Sequence, residues 1–291
     1  MSSGGAIAVS VVMPCLDAAA TIERQLEALA RQATREPWEL VVADNGSRDA
    51  TLAIVERYRH RLPEIHVVDA SGRRGQAHAL NVGVRAARGK AVLFCDADDE
   101  VGTGWLAAMS DALLEHEFVA CRGDAKKLND PWLQETREPQ PPDALSTVAF
   151  PPYFPYAGSG GLGVLKAVHE RFGGFDESME VLFDVDYCIR LHLSRIELQL
   201  VPDAVMHYRY RDDWRGIFEQ ARRYANAAAL LQKRYGEPAT TAWAWPFEHW
   251  KAVARVVPRA HRRAGRAKLA WLLGWQVGRY RGSVRYRVLA V

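Results

Sequence analysis

Short apolar runs alternate with amphipathic segments over the first 125 residues of the chain. The runs have the length of buried strands, and they cover residues 7–13, 39–43, 65–69, 91–95 and 118–121. In the segments between them, such as 21–32 and 76–88, apolar side chains recur every three or four residues, which predicts helices. Repeated strand–helix–strand units predict an α/β fold with a mostly parallel central sheet and helices on both faces.

The pattern changes after residue 125. A proline-rich connection at 126–155 is longer than an ordinary loop, and strand and helix signals resume near residue 160. They end with a helix at 214–235. We expect a catalytic domain over 1–238, with its halves at about 1–125 and about 156–238, and a helical basic extension over 239–291.

Charge is divided unevenly along the chain. Residues 249–291 hold 11 Lys and Arg and no Asp or Glu, while the rest has 27 basic against 35 acidic residues. Basic residues interleaved with tryptophans favour a helix lying on an anionic membrane surface, here assigned to 241–291. A packing helix with a solvated basic face explains the same pattern. Nucleic-acid binding is disfavoured, because the body is acidic and no reader motif is present.

Several protein classes are excluded by composition and pattern. The four cysteines are scattered without a CxxC pair, which argues against a zinc knuckle or a disulfide framework and favours a reducing compartment. The apolar start is short and runs into Pro14, so it predicts a strand rather than a signal peptide. No stretch reaches the roughly 18–20 apolar residues that span a bilayer. We therefore expect a cytoplasmic protein that is peripheral at the inner face of the plasma membrane.

Acidic residues follow the apolar run at 91–95. Asp96, Asp98 and Asp99 come at its carboxyl end, where ligands gather in sheets of this kind. Clustered carboxylates repel one another, and a divalent cation with a preference for oxygen ligands, Mg²⁺ or Mn²⁺, removes that cost. A turn followed by a helix N-cap explains the same residues without a ligand.

A second polar loop follows the run at 39–43. Asp44 ends the predicted strand, Asn45-Gly46 permits a tight turn, and Asp49 precedes the next helix. A carboxylate at this place can accept the N3–H of a uracil. A strand–turn–helix connection is again a sufficient structural explanation.

Five segments in order resemble family 2 of the inverting nucleotide-sugar glycosyltransferases over roughly residues 7 to 235. They are Val11–Asp17 with Ala20-Thr21-Ile22, the Asp44 loop, Gly75 through Asn81-Val82-Gly83 to Gly89, the Asp96–Asp99 cluster, and Phe172–Glu177. The resemblance implies the Rossmann-like nucleotide-sugar-binding fold called GT-A.

The resemblance also implies roles for single residues. Asp44 would bind the base, Asp96 would face the ribose or the metal, and Asp98 would ligate a Mn²⁺ or Mg²⁺ ion. His207 stands where many members place a further metal or phosphate ligand, although a packed histidine is an equally good explanation. The donor-binding set is Pro14, Cys15, Asp44, Asn45, Gly75 and Asp96.

The catalytic base of the family matches Asp184. Asp186 and Arg190 lie four residues apart on the same predicted helix, where a structural ion pair is favoured. The acceptor-side candidates are Gly160, Gly161, Asp186 and Arg190. Two positions depart from the family pattern: Phe183 replaces a common Glu, and Gly161 replaces a common Asn.

These observations predict a metal-dependent inverting enzyme that moves a sugar from a nucleotide diphosphate sugar, with a UDP-sugar favoured, to an acceptor hydroxyl. The acceptor class is a lipid-linked or cell-envelope glycan or a small molecule. A sugar-phosphate nucleotidyltransferase and a non-catalytic sugar-nucleotide-binding protein are the alternatives. A dehydrogenase is disfavoured, because no GxGxxG follows the first strand.

Overall fold

The computed structural model describes residues 7–136, 143–236 and 245–290, with the backbone alone for 245–249. The chain forms two compact units. The sheet unit comprises Met1–Asp124, Pro141–Ser146 and Tyr156–Tyr208, and the helical unit comprises Ala125–Gln140, Thr147–Pro155 and Arg209–Val291.

Ten strands occur in the described part of the chain. They are β1 Val9–Cys15, β2 Trp38–Asp44, β3 Ile65–Asp69, β4 Ala91–Phe94, β5 Glu100–Val101, β6 Phe118–Asp124, β7 Ser146–Thr147, β8 Pro155–Tyr156, β9 Leu162–Leu165 and β10 Gln199–His207. Eight of them form the central sheet in the order β3-β2-β1-β4-β9-β6-β10-β5. The sheet is mostly parallel, and the antiparallel pairings involve β9 and β5. The predicted α/β class is confirmed.

Ten α-helices accompany the strands over the same described ranges. They are α1 Ile22–Ala30, α2 Thr51–Arg57, α3 Gln76–Ala86, α4 Trp105–Glu115, α5 Pro131–Gln134, α6 Lys166–Arg171, α7 Phe183–Leu193, α8 Trp214–Tyr235, α9 Trp245–Val256 and α10 Arg263–Tyr286. Short 3₁₀ turns occur at Ser159–Gly161 and Val257–Arg259.

The centre of the sheet is fully buried. Every residue of β1, β2 and β4 is buried, as expected for parallel strands covered on both faces. Helix α3 lies so close to β1 that a Cβ on Gly83 would collide with the Val12 side chain. This close packing fixes the helix that begins beside the carboxyl ends of the strands.

One sequence expectation differed in detail. The runs at 197–201 and 205–210 predict two strands, whereas the structure has the single strand β10 with a register shift between Val201 and Val205. Pro202 lies inside the shift, and a proline cannot donate a hydrogen bond to a neighbouring strand. The irregularity therefore interrupts the pairing without ending the strand.

The helical unit is built around two long parallel helices. A Cβ on Gly274 or Gly278 of α10 would collide with the carbonyl oxygen of Phe218 or Arg222 of α8, and one on Gly282 would lie 2.6 Å from Ala229 Cβ. The contacts advance by one turn on both helices in the same direction, so the helices run parallel with their backbones close together.

The predicted boundary at 238/239 lies outside the described residues. Helix α8, which the sequence places in the catalytic domain, belongs to the same compact unit as α9 and α10. In the described part of the chain, no helix combines the length and apolar character required to span a bilayer.

The glycine contact between α8 and α10 generates the first prediction. Gly278→Ala places a methyl group against the Arg222 carbonyl oxygen, a backbone atom that cannot move without shifting α8. We expect a loss of about 1–3 kcal/mol in the free energy of unfolding, measured by urea titration. Gly72→Ala is the control, because a Cβ there meets open space. Equal midpoints for both variants would contradict the close packing.

Candidate active site

Three strands end side by side at one edge of the sheet. Cys15 at the end of β1 is in register with Asp44 at the end of β2, and Val12 of β1 pairs with Phe94, the last residue of β4. The polar residues that follow these strands therefore meet at one place, as predicted.

Asp96, Asp98 and Asp99 form a compact carboxylate cluster after β4. One carboxylate oxygen from each residue lies within 4.8 Å of one from each of the other two. Asp99 is buried, while Asp98 is exposed to solvent. Burial, together with the charges of Asp98 and Asp184, raises the pKa of Asp96 to about 7. The arrangement fits a hard divalent cation, which takes carboxylate oxygens as ligands and offsets this repulsion.

Two glutamines hold the carboxylate loop. Gln76 Nε2, at the start of α3, donates to Asp96 Oδ1 at 2.8 Å. Gln25 is fully buried. Its Nε2 donates to the Asp96 carbonyl oxygen at 3.0 Å, and its Oε1 accepts from the Val101 amide at 2.9 Å. Both ends of the loop are thereby fixed before any ligand arrives.

Asp184 lies in the first turn of α7. Its carboxylate accepts hydrogen bonds from the backbone amides of Ser159 and Val185, both at 2.9 Å. Burial raises its pKa despite these bonds. Because its charge also raises the pKa of Asp96, the two carboxyl groups belong to one electrostatic site.

The backbone at 158–161 passes close to both carboxyl groups. A Cβ on Gly160 would lie 2.9 Å from Asp96 Oδ2, and one on Gly161 would lie 2.8 Å from both Cys121 Sγ and the Tyr208 hydroxyl oxygen. There is consequently no room at Gly161 for the asparagine common in the family. Cys121 and Tyr208 occupy that space.

The Asp44 loop is held by its own hydrogen bonds. Asp44 accepts from the Ser47 amide at 3.1 Å, and the Cys15 thiol lies 3.6 Å from Asp44 Oδ1. Burial, with Asp44 next in importance, raises the pKa of Cys15 to about 12, so this thiol stays protonated. Pro14, in register with Ala43, precedes Cys15 on β1.

Asn45 joins the Asp44 loop to the loop before α3. Its side-chain nitrogen donates to the carbonyl oxygens of Ala70 and Arg73, and its oxygen accepts from the Gly75 amide at 2.9 Å. Gly75 has φ +139°, a conformation that favours glycine. The predicted donor-binding role of Asn45 and Gly75 stays a prediction, and the structure gives both a part in shaping the loops.

The Gly75–Gly83 and Phe172–Glu177 segments are locked together. Asn81 donates to Glu177 Oε1 and to the Phe175 carbonyl oxygen, both at 2.9 Å, and accepts from the Phe175 amide at 3.0 Å. His78 also pairs with Glu177 at 2.8 Å. Two motifs almost a hundred residues apart are therefore joined by side-chain contacts, and these contacts fix the position of α3.

Asp186 and Arg190 form the helical ion pair that their spacing predicts, with Arg190 Nε 2.7 Å from Asp186 Oδ2. Arg190 also donates to the carbonyl oxygens of Phe172 and Gly174 at 2.9 and 2.6 Å. These contacts account for both residues structurally, and their acceptor-side role stays a prediction.

Phe183, the other departure from the family pattern, is buried against Phe175 with ring centroids 5.3 Å apart. It serves the core of the sheet unit.

His207 lies at the end of β10, in register with Glu100 beside the carboxylate loop. Its Nδ1 is 2.7 Å from Asp124 Oδ2. Over the described ranges, the groups of close ligand atoms include Asp96, Asp98 and Asp99 but not His207. An imidazole oriented through Nδ1 keeps Nε2 for another partner. Its role as a metal ligand therefore stays a prediction.

The sequence did not point to Gln76, Gln25 or Tyr208 as site residues. Gln76 directly follows Gly75, a position that could have marked it, because side chains at the start of a helix beside strand ends face the ligand region. Gln25 and Tyr208 reach the site only through long-range packing, for which the local pattern carries no signal.

Comparisons with known proteins agree with this geometry. The model of the family described as Glycosyl transferase family 2 matches residues 10–180. A PGL/p-HBAD biosynthesis glycosyltransferase from Mycobacterium bovis is 36% identical over 109 residues, which are 37% of this chain and 42% of that protein. The chondroitin synthase of Pasteurella multocida is 28% identical over 141 residues, 45% of this chain and 15% of that protein. The chain thus matches less than half the length of these relatives.

Solved structures share the fold at low sequence identity. The mannosyltransferase PcManGT from Pyrobaculum calidifontis, in complex with GDP-Man and Mn²⁺, has a TM-score of 0.66 and 19% identity over 96% of this chain and 88% of that one. Residues 1–349 of TarS from S. aureus, in complex with UDP-GlcNAc, have a TM-score of 0.56 and 16% identity over 97% and 93%. The fold is the Rossmann-like GT-A fold.

A family match over more than half of the chain thus coincides with a carboxylate cluster at the carboxyl ends of the central strands. The chain belongs to glycosyl transferase family 2.

Proposed function

We propose that this enzyme is an inverting glycosyltransferase that depends on a divalent cation and transfers a sugar from a nucleoside diphosphate, with UDP favoured, to a hydroxyl group of an acceptor glycan. The observation that carries the proposal is the cluster of Asp96, Asp98 and Asp99 next to Asp184, whose charge acts on Asp96. The three clustered carboxylates suit a cation, and the carboxylate of Asp184 suits a catalytic base.

Asp98 and its neighbours would hold Mn²⁺ or Mg²⁺, with His207 as a further ligand. When bound, such a cation supplies positive charge that stabilises the departing diphosphate. The complex of PcManGT with Mn²⁺ and GDP-Man supports the use of a divalent cation, since that protein shares the fold.

The donor would bind along the ends of β1 and β2. Asp44, fixed by Ser47, presents a carboxylate to the nucleobase, and the backbone at Pro14 and Cys15 lines the nucleoside pocket. Asn45 and Gly75 shape the adjoining loop, and Asp96 faces the ribose or the metal. The complex of TarS with UDP-GlcNAc supports a nucleotide-sugar donor.

The transfer is a single in-line displacement. The acceptor oxygen forms a bond to the anomeric carbon while the bond from that carbon to the diphosphate oxygen breaks, and the hydroxyl proton passes to the carboxylate of Asp184. The configuration at the anomeric carbon inverts. The raised pKa of Asp184 makes it a stronger base than an ordinary aspartate, which suits this proton transfer.

The partner surface of the basic extension is an anionic membrane leaflet. Tyr280 and Val284, about one turn apart on α10, are 73% and 65% exposed, and basic side chains accompany them along the helix. Apolar side chains can enter the headgroup region while the Lys and Arg residues contact anionic lipids. The enzyme would then act at the inner face of the plasma membrane on a lipid-linked or cell-envelope glycan.

Removal of the cation should abolish turnover. We expect EDTA treatment, and separately Asp98→Ala, to lower the release of nucleoside diphosphate from a UDP-sugar by about 100-fold or more, because several kcal/mol of charge stabilisation is lost. Added Mn²⁺ should restore the EDTA-treated enzyme. Asp111→Ala, an exposed aspartate on α4, is the control and should keep full activity. Undiminished activity after both treatments would exclude a role of the cation in the reaction. Release of pyrophosphate from a sugar phosphate and a nucleoside triphosphate would indicate a nucleotidyltransferase.

Loss of the base should separate binding from catalysis. Asp184→Asn keeps the size of the side chain and removes the proton acceptor, so kcat should fall by about 10²–10⁴-fold. The thermal stabilisation by UDP with Mn²⁺ should remain. Transfer at the wild-type rate in this variant would show that another group accepts the proton.

The membrane surface is tested by flotation with vesicles of anionic phospholipid. We expect the wild-type protein to float with these vesicles, and Tyr280→Ser combined with Val284→Ser to reduce the floating fraction severalfold. Leu114→Ser, on α4, is the matched control, because Leu114 is 81% exposed and lies in the sheet unit. Absence of wild-type flotation, or equal loss in the control, would refute membrane binding.

A further inference from the structure

A cavity of about 500 Å³ lies within the helical unit. Its walls come from three segments of that unit: residues 128–133 around α5, residues 209–214 before and at the start of α8, and residues 263–267 at the start of α10. The volume lies in the range of sites that bind small molecules. None of the candidate site residues of the sheet unit lines it.

Aromatic and charged side chains alternate around the cavity. Trp132, Tyr210 and Trp214 contribute rings, and the charged residues are Arg209, Arg263, Arg266, Asp130, Asp212 and Asp213. Three guanidinium groups and three carboxylates give a lining with no net formal charge. Such a lining offers both hydrogen-bond donors and acceptors and has no excess of positive charge among its own residues.

The walls are held in place by hydrogen bonds within the unit. Asn129, which is buried, accepts from the Tyr210 amide at 2.7 Å and donates to the Ala125 carbonyl oxygen at 2.8 Å. Asp213 caps α8 by accepting from the Gly216 amide at 2.7 Å, and Asp130 accepts from Trp132 Nε1 at 3.2 Å. The backbone of the walls and the Trp132 ring are therefore held before a ligand binds, which lowers the entropy cost of binding.

Trp214 is the most informative residue in the lining. Its side chain is 59% exposed, and the guanidinium of Arg215 lies 5.2 Å from its ring centroid. Trp132, in contrast, packs against the apolar cluster of Leu133 and Ile217. An exposed indole at the edge of a polar cavity combines a flat apolar face with neighbouring hydrogen-bonding groups.

We infer that this cavity binds a neutral oligosaccharide. A pyranose ring has an apolar C–H face that stacks on an indole, and each of its hydroxyl groups both donates and accepts, which suits a lining that contains both carboxylates and guanidinium groups. The identification of this saccharide as a glycan acceptor rests on the proposed function.

The test uses the full-length chain and saturation-transfer NMR with neutral trisaccharides: cellotriose, maltotriose, mannotriose and triacetylchitotriose. We expect at least one to bind the wild-type protein, and Trp214→Ala to weaken that binding about ten-fold. Trp250→Ala is the matched control, because Trp250 is 53% exposed and does not line the cavity. Arg266→Gln, which removes one guanidinium, should also weaken binding.

Each outcome decides the matter. The inference is overturned if no trisaccharide binds, or if Trp214→Ala and Trp250→Ala bind alike. Thermal stabilisation by UDP with Mn²⁺, measured on the same samples, separates the two proposals. If a trisaccharide binds but UDP with Mn²⁺ does not stabilise the protein, the proposed donor site is wrong. If UDP with Mn²⁺ stabilises the protein but no trisaccharide binds, the inference about the cavity is wrong.

Discussion

Mutual repulsion of carboxylates is the constraint on which the candidate site depends. Like charges about 4 Å apart near a protein surface repel by about 4 kcal/mol, a large share of the roughly 5–15 kcal/mol that stabilises a folded domain. One carboxylate oxygen from each of Asp96, Asp98 and Asp99 lies within 4.8 Å of the other two, and the charge of Asp184 also acts on Asp96. A rigid frame keeps them there. The buried strands, the two glutamines and the Asn81–Glu177 lock provide that frame.

The sequence predicted the strand ends that carry the carboxylates better than it predicted the residues that hold the carboxylate loop in place. Strand ends are readable because buried strands are short apolar runs, so Asp44 and Asp96 could be placed correctly at the edge of the sheet. Gln25 was not identified, because its contacts with the Asp96 and Val101 backbones join residues more than seventy positions apart. The continuity of β10 from Gln199 to His207 was also missed, since Pro202 resembles a strand end locally.

The departures from the family pattern prove to be connected with packing. Phe183 fills an aromatic cluster with Phe175, and Gly161 leaves space that Cys121 and Tyr208 occupy. Such substitutions carry no local signal about their compensation, because the compensating residues lie far away in the chain. The sequence could therefore mark the positions as unusual but could not explain them.

The parallel course of α8 and α10 has an electrostatic consequence. Two helix macrodipoles aligned side by side repel, and the glycines that bring the backbones together strengthen that repulsion. Both helices place basic residues in their last turns, Lys233 and Arg234 on α8 and Arg285 on α10, where positive charge offsets the partial negative charge of the carbonyl ends. Part of the positive charge of the helical unit therefore stabilises this helix pair. A count of its Lys and Arg residues overstates the charge that is available to an external surface.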